Sequence, residues 1–402
     1  MKADAGVIIT ASHNPKEYNG VKLYDETGRQ LIPSEIVPIS KKIESIKYFE
    51  SVFPNVEPKY VTADVEMKYI EMVKSIKLNN VKEIKAVFTP LHGTGGVFIK
   101  DILPNVHLVE QQMIADPDFS TLNLPNPENE EAFALALELG NSVDADILLA
   151  TDPDADRVGC MIKDNGYHFL SGNEIAVILL KYILDDAKSK NRLSNRIVYK
   201  SIVSSKLGKM MCQKYGVTME ETLTGFKYIG KLMNETKKKY LFGYEESNGC
   251  IINDDVRDKD AMQAAYLLYE ACSYYKTRGL TLLDVLKGLY DEFGKYANKT
   301  ISYMLDGQGG QLLKEKIMQY FKENSIDKAI NKIDYNIEPG MMKDNIVKFD
   351  LNNGSVIIRP SGTEPKIKVY LELNGSNVDN ELQLLERYIT GIINNIKGER
   401  DE

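Results

Sequence analysis

The sequence predicts an α/β protein of several domains, and three observations support that prediction. Short apolar runs that end at turns alternate along most of the chain with amphipathic segments of helical period. Near the C-terminus the order changes to successive strands and one closing helix, which is typical of an α+β domain. The length of 402 residues is enough for two to four domains, each with its own core.

The first part of the chain predicts two strands, a helix and a linker. The strands are GVIIT (6–10) and GVKLYD (20–25), and the helix covers 34–51 with Ser34 as its cap. The Pro-containing run 52–62 predicts a linker. The next unit has helices at 65–76, from about Val97 and at 130–142, strands at 84–89 and 145–151, and the loop PLHGTGG at 90–96.

The rest of the chain continues this alternation. It predicts a helix at 171–190 capped near Ser171, a strand at 196–203, a helix at 204–216, strands at 217–222 and 240–243, and a helix at 258–279. The last unit has helices at 281–294 and 380–398 and strands at 345–351, 354–360 and 365–373. The three α/β stretches are read as variants of one repeated unit, although no sequence period demonstrates it.

Composition excludes several classes of protein. The formal net charge of −8 argues against a general nucleic-acid binder but allows a phosphorylated substrate in a local basic pocket. The four cysteines have no Cys-x-x-Cys spacing, which favours reduced thiols over disulfides or a zinc site. Because no apolar run can span a bilayer and no secretory signal is present, we expect a cytoplasmic protein without a membrane partner.

The segment DPDADR gives the strongest metal signal. Asp152, Asp154 and Asp156 alternate after a buried-looking strand, so in an extended chain their carboxylates fall on one side, where they can bind a hard cation such as Mg²⁺. An EF-hand loop fails, because its sixth and twelfth positions hold Arg157 and Lys163. A haloacid-dehalogenase-type phosphatase lacks partners downstream, and a solvated acidic turn is disfavoured by the mutual repulsion of three aspartates.

Two other loops are candidate ligand sites. In RPSGTEPK, Arg359 offers a fork of donors for a phosphate, and an exposed Pro/Gly hairpin explains these residues equally well. In GYEESNG, Glu245, Glu246 and Ser247 can bind sugar hydroxyls, although in isolation an acidic surface turn is the simpler reading. The remaining hydroxyl and backbone donors of the first loop are Ser361, Gly362 and Thr363.

Single residues remain open on sequence alone. Lys200 lies within an apolar strand, which is costly unless its amine is used or paired. Lys259 is either a proton-transfer group or a helix-start residue, and His92 is as readily structural as functional. In TASHNP, Ser12 and His13 do not predict a hydrolase dyad, because adjacent strand side chains point apart and no G-x-S-x-G elbow is present. A phosphorylated or metal-bound serine is the better interpretation.

Together these segments resemble the α-D-phosphohexomutase superfamily, which contains phosphoglucomutases and phosphomannomutases. Four motifs match in the family's order: TASHNP, DPDADR, GYEESNG and RPSGTEPK. The accompanying EYNGVKLY, TPLHGTGG, LPNPENEEAF, TGFKYIG and VRDKDA look most like the bacterial phosphoglucomutase branch, which also includes phosphopentomutases.

The resemblance implies three similar α/β domains, the first incomplete, and a C-terminal α+β domain similar to the TATA-box-binding protein. The implied domains are 1–55 with a phosphoserine loop, 56–166 with a metal loop, 167–294 with a sugar loop and 295–402 with a phosphate loop. The implied metal ligands are Ser12, Asp152, Asp154 and Asp156, and the implied catalytic residues are Ser12, His13, Arg157, Lys200 and Lys259. The implied substrate-binding residues are Glu245, Ser247, Arg359, Ser361, Gly362 and Thr363.

The activity implied is interconversion of glucose 1-phosphate and glucose 6-phosphate through a hexose bisphosphate, with one Mg²⁺ per site, and phosphomannomutase activity is a further expectation. A phosphopentomutase acting on ribose or deoxyribose phosphates is the alternative. In the family a long stretch of domain I precedes the serine loop, whereas eleven residues precede Ser12 here. We therefore expect a truncated member, and an inactive sugar-phosphate-binding fragment is the third hypothesis.

Overall fold

A computed structural model of the protein describes residues 3–47, 56–305, 309–337, 343–361 and 365–398. The chain divides into two units. The first contains Met1–Ser204 and Met211–Leu286, and the second contains Ser205–Met210 and Lys287–Glu402.

The first unit begins with an antiparallel hairpin and a helix. Strand β1 (Gly6–Ile9) pairs with β2 (Val21–Tyr24), with Gly6 opposite Tyr24. Helix α1 (Pro33–Glu44) follows. The prediction of a Ser34 cap is wrong, because Pro33 takes the first helical position, where a missing N–H costs nothing. The helix also ends before the predicted Ser51, and part of the predicted linker lies outside the described residues.

A second sheet carries the DPDADR segment. Its elements are α2 (Ala63–Ser75), β3 (Ala86–Thr89), α3 (Ile99–Ile102), β4 (Val106–Leu108), α4 (Ala134–Val143), β5 (Ile147–Thr151), β6 (Val158–Lys163) and β7 (Tyr167–Leu170). The strand order is β4-β3-β5-β6-β7, with β3 parallel to both β4 and β5 and with β6 and β7 antiparallel. Every residue of β3 and β5 is buried, which explains why both read as short continuous apolar runs.

A third sheet carries the GYEESNG segment. Its elements are α5 (Gly172–Ser189), β8 (Arg196–Ser201), α6 (Leu207–Tyr215), β9 (Thr218–Thr222), α7 (Phe226–Glu235), β10 (Lys239–Tyr244), β11 (Cys250–Ile251), α8 (Ala261–Lys276) and α9 (Leu282–Phe293). The strand order is β11-β10-β8-β9. The predicted Ser171 cap of α5 is confirmed, because its hydroxyl accepts from the Glu174 backbone N–H.

The two larger sheets of this unit repeat one topology. Counted in chain order, the first strand (β3 or β8) lies between the second (β4 or β9) and the third (β5 or β10) and is parallel to both. The fourth strand (β6 or β11) returns antiparallel to the third. The DPDADR loop connects the third and fourth strands of one sheet, and the GYEESNG loop does so in the other. The TASHNP loop likewise connects the two antiparallel strands β1 and β2. The repetition that the sequence suggested is therefore visible in strand order.

The second unit contains one antiparallel sheet and two helices. They are β12 (Tyr296–Met304), α10 (Gly310–Glu323), β13 (Ala329–Asp334), β14 (Val347–Leu351), β15 (Gly354–Pro360), β16 (Lys366–Asn374) and α11 (Val378–Gly398). The order is β12-β16-β15-β14-β13, and both helices contribute buried apolar side chains to its core. This is the α+β domain that the sequence predicted.

Two further expectations can be compared with the structure. All four cysteines are free and buried, in agreement with the prediction of reduced thiols. Within the described ranges, no helix is both long and apolar enough to cross a bilayer.

Candidate active site

Three aspartates converge at the turn between β5 and β6. One carboxylate oxygen from each of Asp152, Asp154 and Asp156 lies within 4.8 Å of the others. The predicted convergence is present, but the predicted extended chain is wrong. The segment is a turn in which Ala155 has a φ of 54°, and Asp152 Oδ1 accepts from the backbone N–H groups of Asp156 and Arg157 at 3.0 and 2.9 Å.

Ser12 faces this cluster from the first hairpin. Its hydroxyl lies 3.0 Å from Asp152 Oδ2, which is 140 residues away in sequence. Ser12 has a φ of 54° and its N–H donates to Thr10 Oγ1 at 2.8 Å, so a tight turn presents the hydroxyl. Because of that turn His13 Nδ1 lies 3.1 Å from Ser12 Oγ, and the expectation that adjacent side chains point apart is wrong here.

The carboxylates have the chemistry of a cation site. Asp154 Oδ1 and Asp156 Oδ1 are buried and have no hydrogen-bond partner among the described residues. Burial, together with the charges of Asp156 and Asp154, raises the pKa of Asp152 well above its usual value. Unpartnered hard oxygens without any nitrogen or sulfur ligand fit Mg²⁺, which would satisfy these atoms and offset the repulsion.

Two lysines lie against the same carboxylates. Lys259 Nζ is 2.9 Å from Asp156 Oδ2, and Lys22 Nζ is 2.9 and 3.1 Å from oxygens of Asp154 and Asp156. Burial disfavours the charged forms of both amines, but the neighbouring carboxylates outweigh it and raise the pKa of each lysine. Burial likewise opposes ionisation of Asp156, yet Lys259 and Lys22 lower its pKa.

Lys22 was missed by reasoning from the sequence. Its segment, EYNGVKLY, was noted as a whole, but the residue sits on a short strand like any lysine of an exposed hairpin. Its position on β2, directly across the hairpin from the strand before Ser12, is the signal that could have identified it.

Arg157 lies between the aspartates and Glu128 of the LPNPENEEAF segment. It forms an ion pair with Glu128, and its Nε lies 3.9 Å from Asp152 Oδ2 and 3.8 Å from Asp156 Oδ1. That Nε is buried and has no hydrogen-bond partner among the described residues. Although burial opposes it, the Glu128 and Asp156 charges raise the arginine pKa, so a permanent cation with a free donor lies beside the aspartates.

The GYEESNG loop supplies carboxylates of a different kind. Glu245 is 5% exposed and accepts from the Gly225 N–H at 2.6 Å. Burial, followed by the Glu246 charge, raises the pKa of Glu245 to about 7. Ser247 is half-buried at the bend of this loop. The hydroxyl of Thr224, next to Gly225, is buried without a partner among the described residues and was also missed by sequence reasoning.

Lys200 is held within the third sheet. Its ammonium donates to the carbonyls of Ser201 and Ser204 at 3.1 and 2.9 Å and pairs with Glu221 at 3.2 Å. The requirement that this buried amine be paired is met by these groups. They favour a structural role, and a catalytic role for Lys200 stays a prediction.

The TPLHGTGG loop packs against the turn that contains Asp152, Asp154 and Asp156, which we call the metal turn. Thr94 N–H donates to the Pro153 carbonyl at 2.9 Å, and a Cβ on Gly93 would lie 2.3 Å from Pro153 Cα, so only glycine fits there. His92 uses both ring nitrogens, with Ile114 O at 2.8 Å and Thr121 Oγ1 at 2.7 Å. These contacts favour the structural reading of His92.

The RPSGTEPK segment lies in the second unit. Arg359 is the second-to-last residue of β15, with its side chain 30% exposed and its Nε 4.0 Å from Asp344 Oδ2. Ser361 N–H donates to the Lys366 carbonyl at 2.7 Å. Gly362 and Thr363 lie outside the described residues. The structure thus groups Ser12, His13, Arg157, Lys259 and the aspartates in the first unit and places Arg359 and Ser361 in the second.

Comparison with known proteins identifies the family. Four domain descriptions of phosphoglucomutase/phosphomannomutase match the chain in order: α/β/α domain I at 1–50, α/β/α domain II at 67–166, α/β/α domain III at 171–293 and the C-terminal domain at 316–383. The matches cover most of the chain, and they fall in order on the hairpin and helix at its start, the two larger α/β sheets and the final α+β sheet.

Individual relatives agree with this assignment. A phosphoglucomutase of Staphylococcus haemolyticus is 35% identical over 97% of this chain and 77% of its own. A phosphoglucomutase/phosphomannomutase family protein of Burkholderia thailandensis shares the fold with a TM-score of 0.73 at 19% identity, over 99% of this chain and 78% of its own. N-acetylphosphoglucosamine mutase of Aspergillus fumigatus, solved with GlcNAc-6P and magnesium, has a TM-score of 0.58 at 15% identity, over 96% and 88%. The chain therefore belongs to the phosphoglucomutase/phosphomannomutase family of the α-D-phosphohexomutase superfamily, whose members are isomerases.

Proposed function

We propose that this protein interconverts glucose 1-phosphate and glucose 6-phosphate by phosphoryl transfer at Ser12, through a hexose bisphosphate. One observation supports this most: the Ser12 hydroxyl lies 3.0 Å from Asp152, beside carboxylate oxygens that lack partners. A serine with a role in packing alone would not need a turn of φ 54° to face three acidic groups. The name phosphoglucomutase, shared by relatives at 35% identity, supports the hexose as substrate.

The residues that would hold Mg²⁺ are Asp152, Asp154, Asp156 and the oxygen of Ser12. When bound, the ion supplies neutralisation of the negative charge on the transferring phosphoryl group. The N-acetylphosphoglucosamine mutase solved with magnesium supports that choice of cation. The protein's own share is to gather three carboxylates on one rigid turn, with Asp152 fixed by two backbone donors.

In the first half-reaction, phosphorylated Ser12 donates its phosphoryl group to a free hydroxyl of the sugar monophosphate. The serine P–O bond breaks as a P–O bond to the sugar forms, and the hydroxyl proton is transferred to a base of the site. Arg157 and Lys259 lie where they can stabilise charge on the transferred group, since both are cations beside the aspartates. Because the neighbouring carboxylates keep Lys259 protonated, Lys259 is our candidate to donate the proton that the Ser12 oxygen takes up when its P–O bond breaks.

In the second half-reaction, the sugar bisphosphate turns end over end and returns its other phosphate to Ser12. The net result moves one phosphate between O1 and O6 and regenerates the phosphoserine. Arg359, Ser361, Gly362 and Thr363 would hold the non-reacting phosphate, as their fork of donors and hydroxyls suits any phosphate monoester. Glu245 and Ser247 would bind the sugar hydroxyls.

A coupled assay tests this proposal. Purified protein is given glucose 1-phosphate, Mg²⁺ and a trace of glucose 1,6-bisphosphate, and mannose 1-phosphate and ribose 1-phosphate are assayed in parallel. We expect turnover of glucose 1-phosphate that Ser12→Ala abolishes and that Ser142→Ala, an exposed matched serine, leaves unchanged. A preference for ribose 1-phosphate would favour a phosphopentomutase, and no turnover of any sugar phosphate would favour a non-catalytic fragment.

A further inference from the structure

Gly249 and Lys259 are packed unusually closely. Gly249 ends the GYEESNG loop, and the stem of Lys259 crosses its Cα on the way to Asp156. A Cβ built on Gly249 would lie 2.1 Å from Lys259 Cδ, 3.0 Å from its Cγ and 3.2 Å from its Cε. These three atoms are the nearest neighbours of that Cβ. A side chain at position 249 would therefore clash first with Lys259.

The need for glycine comes from space and not from the backbone. Gly249 does not have the positive φ that favours glycine, so an alanine could adopt its backbone conformation without strain. The clash is with the middle of a flexible side chain, which can move aside, whereas a clash with backbone could not be relieved. Alanine at 249 should therefore be compatible with folding and incompatible with the observed path of Lys259.

The backbone at Gly249 cannot retreat to make room. Gly249 forms an antiparallel bridge with Arg157, and its carbonyl accepts from the Glu245 N–H at 2.9 Å. Next to it, Asn248 accepts from the Val158 N–H at 3.0 Å and donates its Nδ2 to the Val158 carbonyl at 2.9 Å. These bonds fasten the loop to the strand that leaves the metal turn, so Lys259 must be the group that moves.

The position of the Lys259 ammonium group is also fixed by its contacts. Lys259 Nζ pairs with Asp156 at 2.9 Å and with Asp258 at 3.3 Å, and it lies 5.5 Å from the centre of the Phe226 ring. Its side chain is only 11% exposed. A stem rerouted around a methyl group has a longer path and cannot reach the same point beside Asp156.

We propose that Gly249 is a positioning residue for this reaction: its missing side chain forms the slot through which Lys259 reaches the metal turn. The inference rests on the proposed function for its catalytic consequence, while the packing of Gly249 on Lys259 stands independently of it. In this view the GYEESNG loop serves the metal turn as well as the sugar.

A double-mutant cycle tests the proposal. Lys259→Ala should lower kcat by roughly 10²-fold, the usual share of a proton-transfer group. Gly249→Ala should lower kcat to a similar extent with a smaller change in KM, because Lys259 leaves Asp156. In Lys259→Ala, the atoms that clash are gone, so adding Gly249→Ala should cost little more. Gly288→Ala, where a Cβ meets nothing within 4 Å, is the matched control.

A second readout keeps the test independent of activity. Amine labelling followed by mass spectrometry should show Lys259 modified several-fold faster in Gly249→Ala than in wild type, with Gly288→Ala unchanged. Losses of kcat that add in the double variant, or unchanged labelling of Lys259, would overturn the proposal. If wild type turns over no sugar phosphate, the proposed function fails, and the labelling alone decides whether Gly249 positions Lys259.

Discussion

The DPDADR and GYEESNG loops occupy the same place in two sheets of the same topology, yet their carboxylates differ. Each loop connects the third strand to an antiparallel fourth strand. In the first, Asp154 and Asp156 each keep a buried oxygen without a partner in the described chain. In the second, Glu245 accepts from a backbone N–H and Glu246 accepts from the hydroxyls of Ser201 and Ser204.

This difference separates what the fold provides from what the residues provide. The repeated topology places a loop at the end of two buried strands, which is where α/β sheets commonly bind ligands. The residues then decide which ligand fits. Unpartnered oxygens at close range suit a cation, and carboxylates already fixed by donors suit a neutral, hydroxyl-bearing ligand. The following changes test that contrast, from the largest expected effect to the smallest.

Of these changes, Asp154→Asn should cause the largest loss of catalytic activity. The change keeps the size of the side chain but removes the charge of one proposed ligand, so we expect kcat/KM to fall by roughly 10²- to 10³-fold, as for loss of a key electrostatic contact. Steady-state kinetics measure it, and Asp327→Asn, at an exposed position, is the control. Retention of activity in Asp154→Asn would contradict the assignment of Asp154 to the metal.

Glu245→Gln should change the pH dependence of stability. The pKa of Glu245 is about 7 in the folded chain and near 4.5 in the unfolded one, so the folded state binds more protons between these values. Stability from this group is therefore present below about pH 4.5 and lost as pH rises through 7, by up to roughly 3 kcal/mol. Because glutamine cannot ionise, Glu245→Gln should not lose this stability as the pH rises.

Urea unfolding at pH 5 and pH 8 measures this effect. Relative to wild type, Glu245→Gln should gain stability at the higher pH, whereas Glu138→Gln, on an exposed face of α4, should not. An identical pH dependence in wild type and Glu245→Gln would show that the buried carboxyl does not titrate as described.

Mg²⁺ should stabilise the metal turn selectively. A ligand that binds only the folded state at about a hundred times its Kd adds about 2.7 kcal/mol to the free energy of unfolding. Thermal unfolding with and without Mg²⁺ should show this gain in wild type and in Glu245→Gln but much less of it in Asp154→Asn. An equal gain in all three proteins would mean that the ion binds elsewhere.

Lys200→Met should affect stability more than chemistry. It removes two charge-assisted hydrogen bonds from a side chain that is 1% exposed, at a cost of about 2 kcal/mol, while kcat stays within a few-fold of wild type. Unfolding and kinetics are compared with Lys100→Met, which replaces an exposed lysine. Loss of kcat with unchanged stability would instead support the catalytic role predicted from the sequence.

Features with a local cause could be predicted from the sequence. The buried strands β3 and β5 and the Ser171 cap each leave a mark within a few residues, as an apolar run or a capping box. The alternating aspartates of DPDADR likewise predict a cation site at the metal turn. The start of α1 was misplaced because Pro33 and Ser34 both favour helix N-termini, and proline at the first position prevailed.

Features created by distant contacts could not be predicted in this way. Lys22 becomes part of the site only because β2 brings it to Asp154 and Asp156, 132 and 134 residues away. The space that Gly249 leaves for Lys259 likewise depends on how a loop and a helix start meet. The prediction of an extended chain at Asp152–Asp156 was a local error of conformation. The positive φ of Ala155 and the backbone N–H groups that donate to Asp152 show that the segment is a turn.

Phosphorylation of Ser12 tests the central claim most directly. Protein incubated with glucose 1,6-bisphosphate and Mg²⁺ is examined by intact-mass analysis and peptide mapping, with Ser12→Ala and Ser142→Ala in parallel. The account predicts one added phosphoryl group on Ser12 in wild type and Ser142→Ala, none in Ser12→Ala, and its loss on addition of excess glucose 1-phosphate. A wild-type protein that stays unmodified, or that carries the phosphate on another residue, would contradict it.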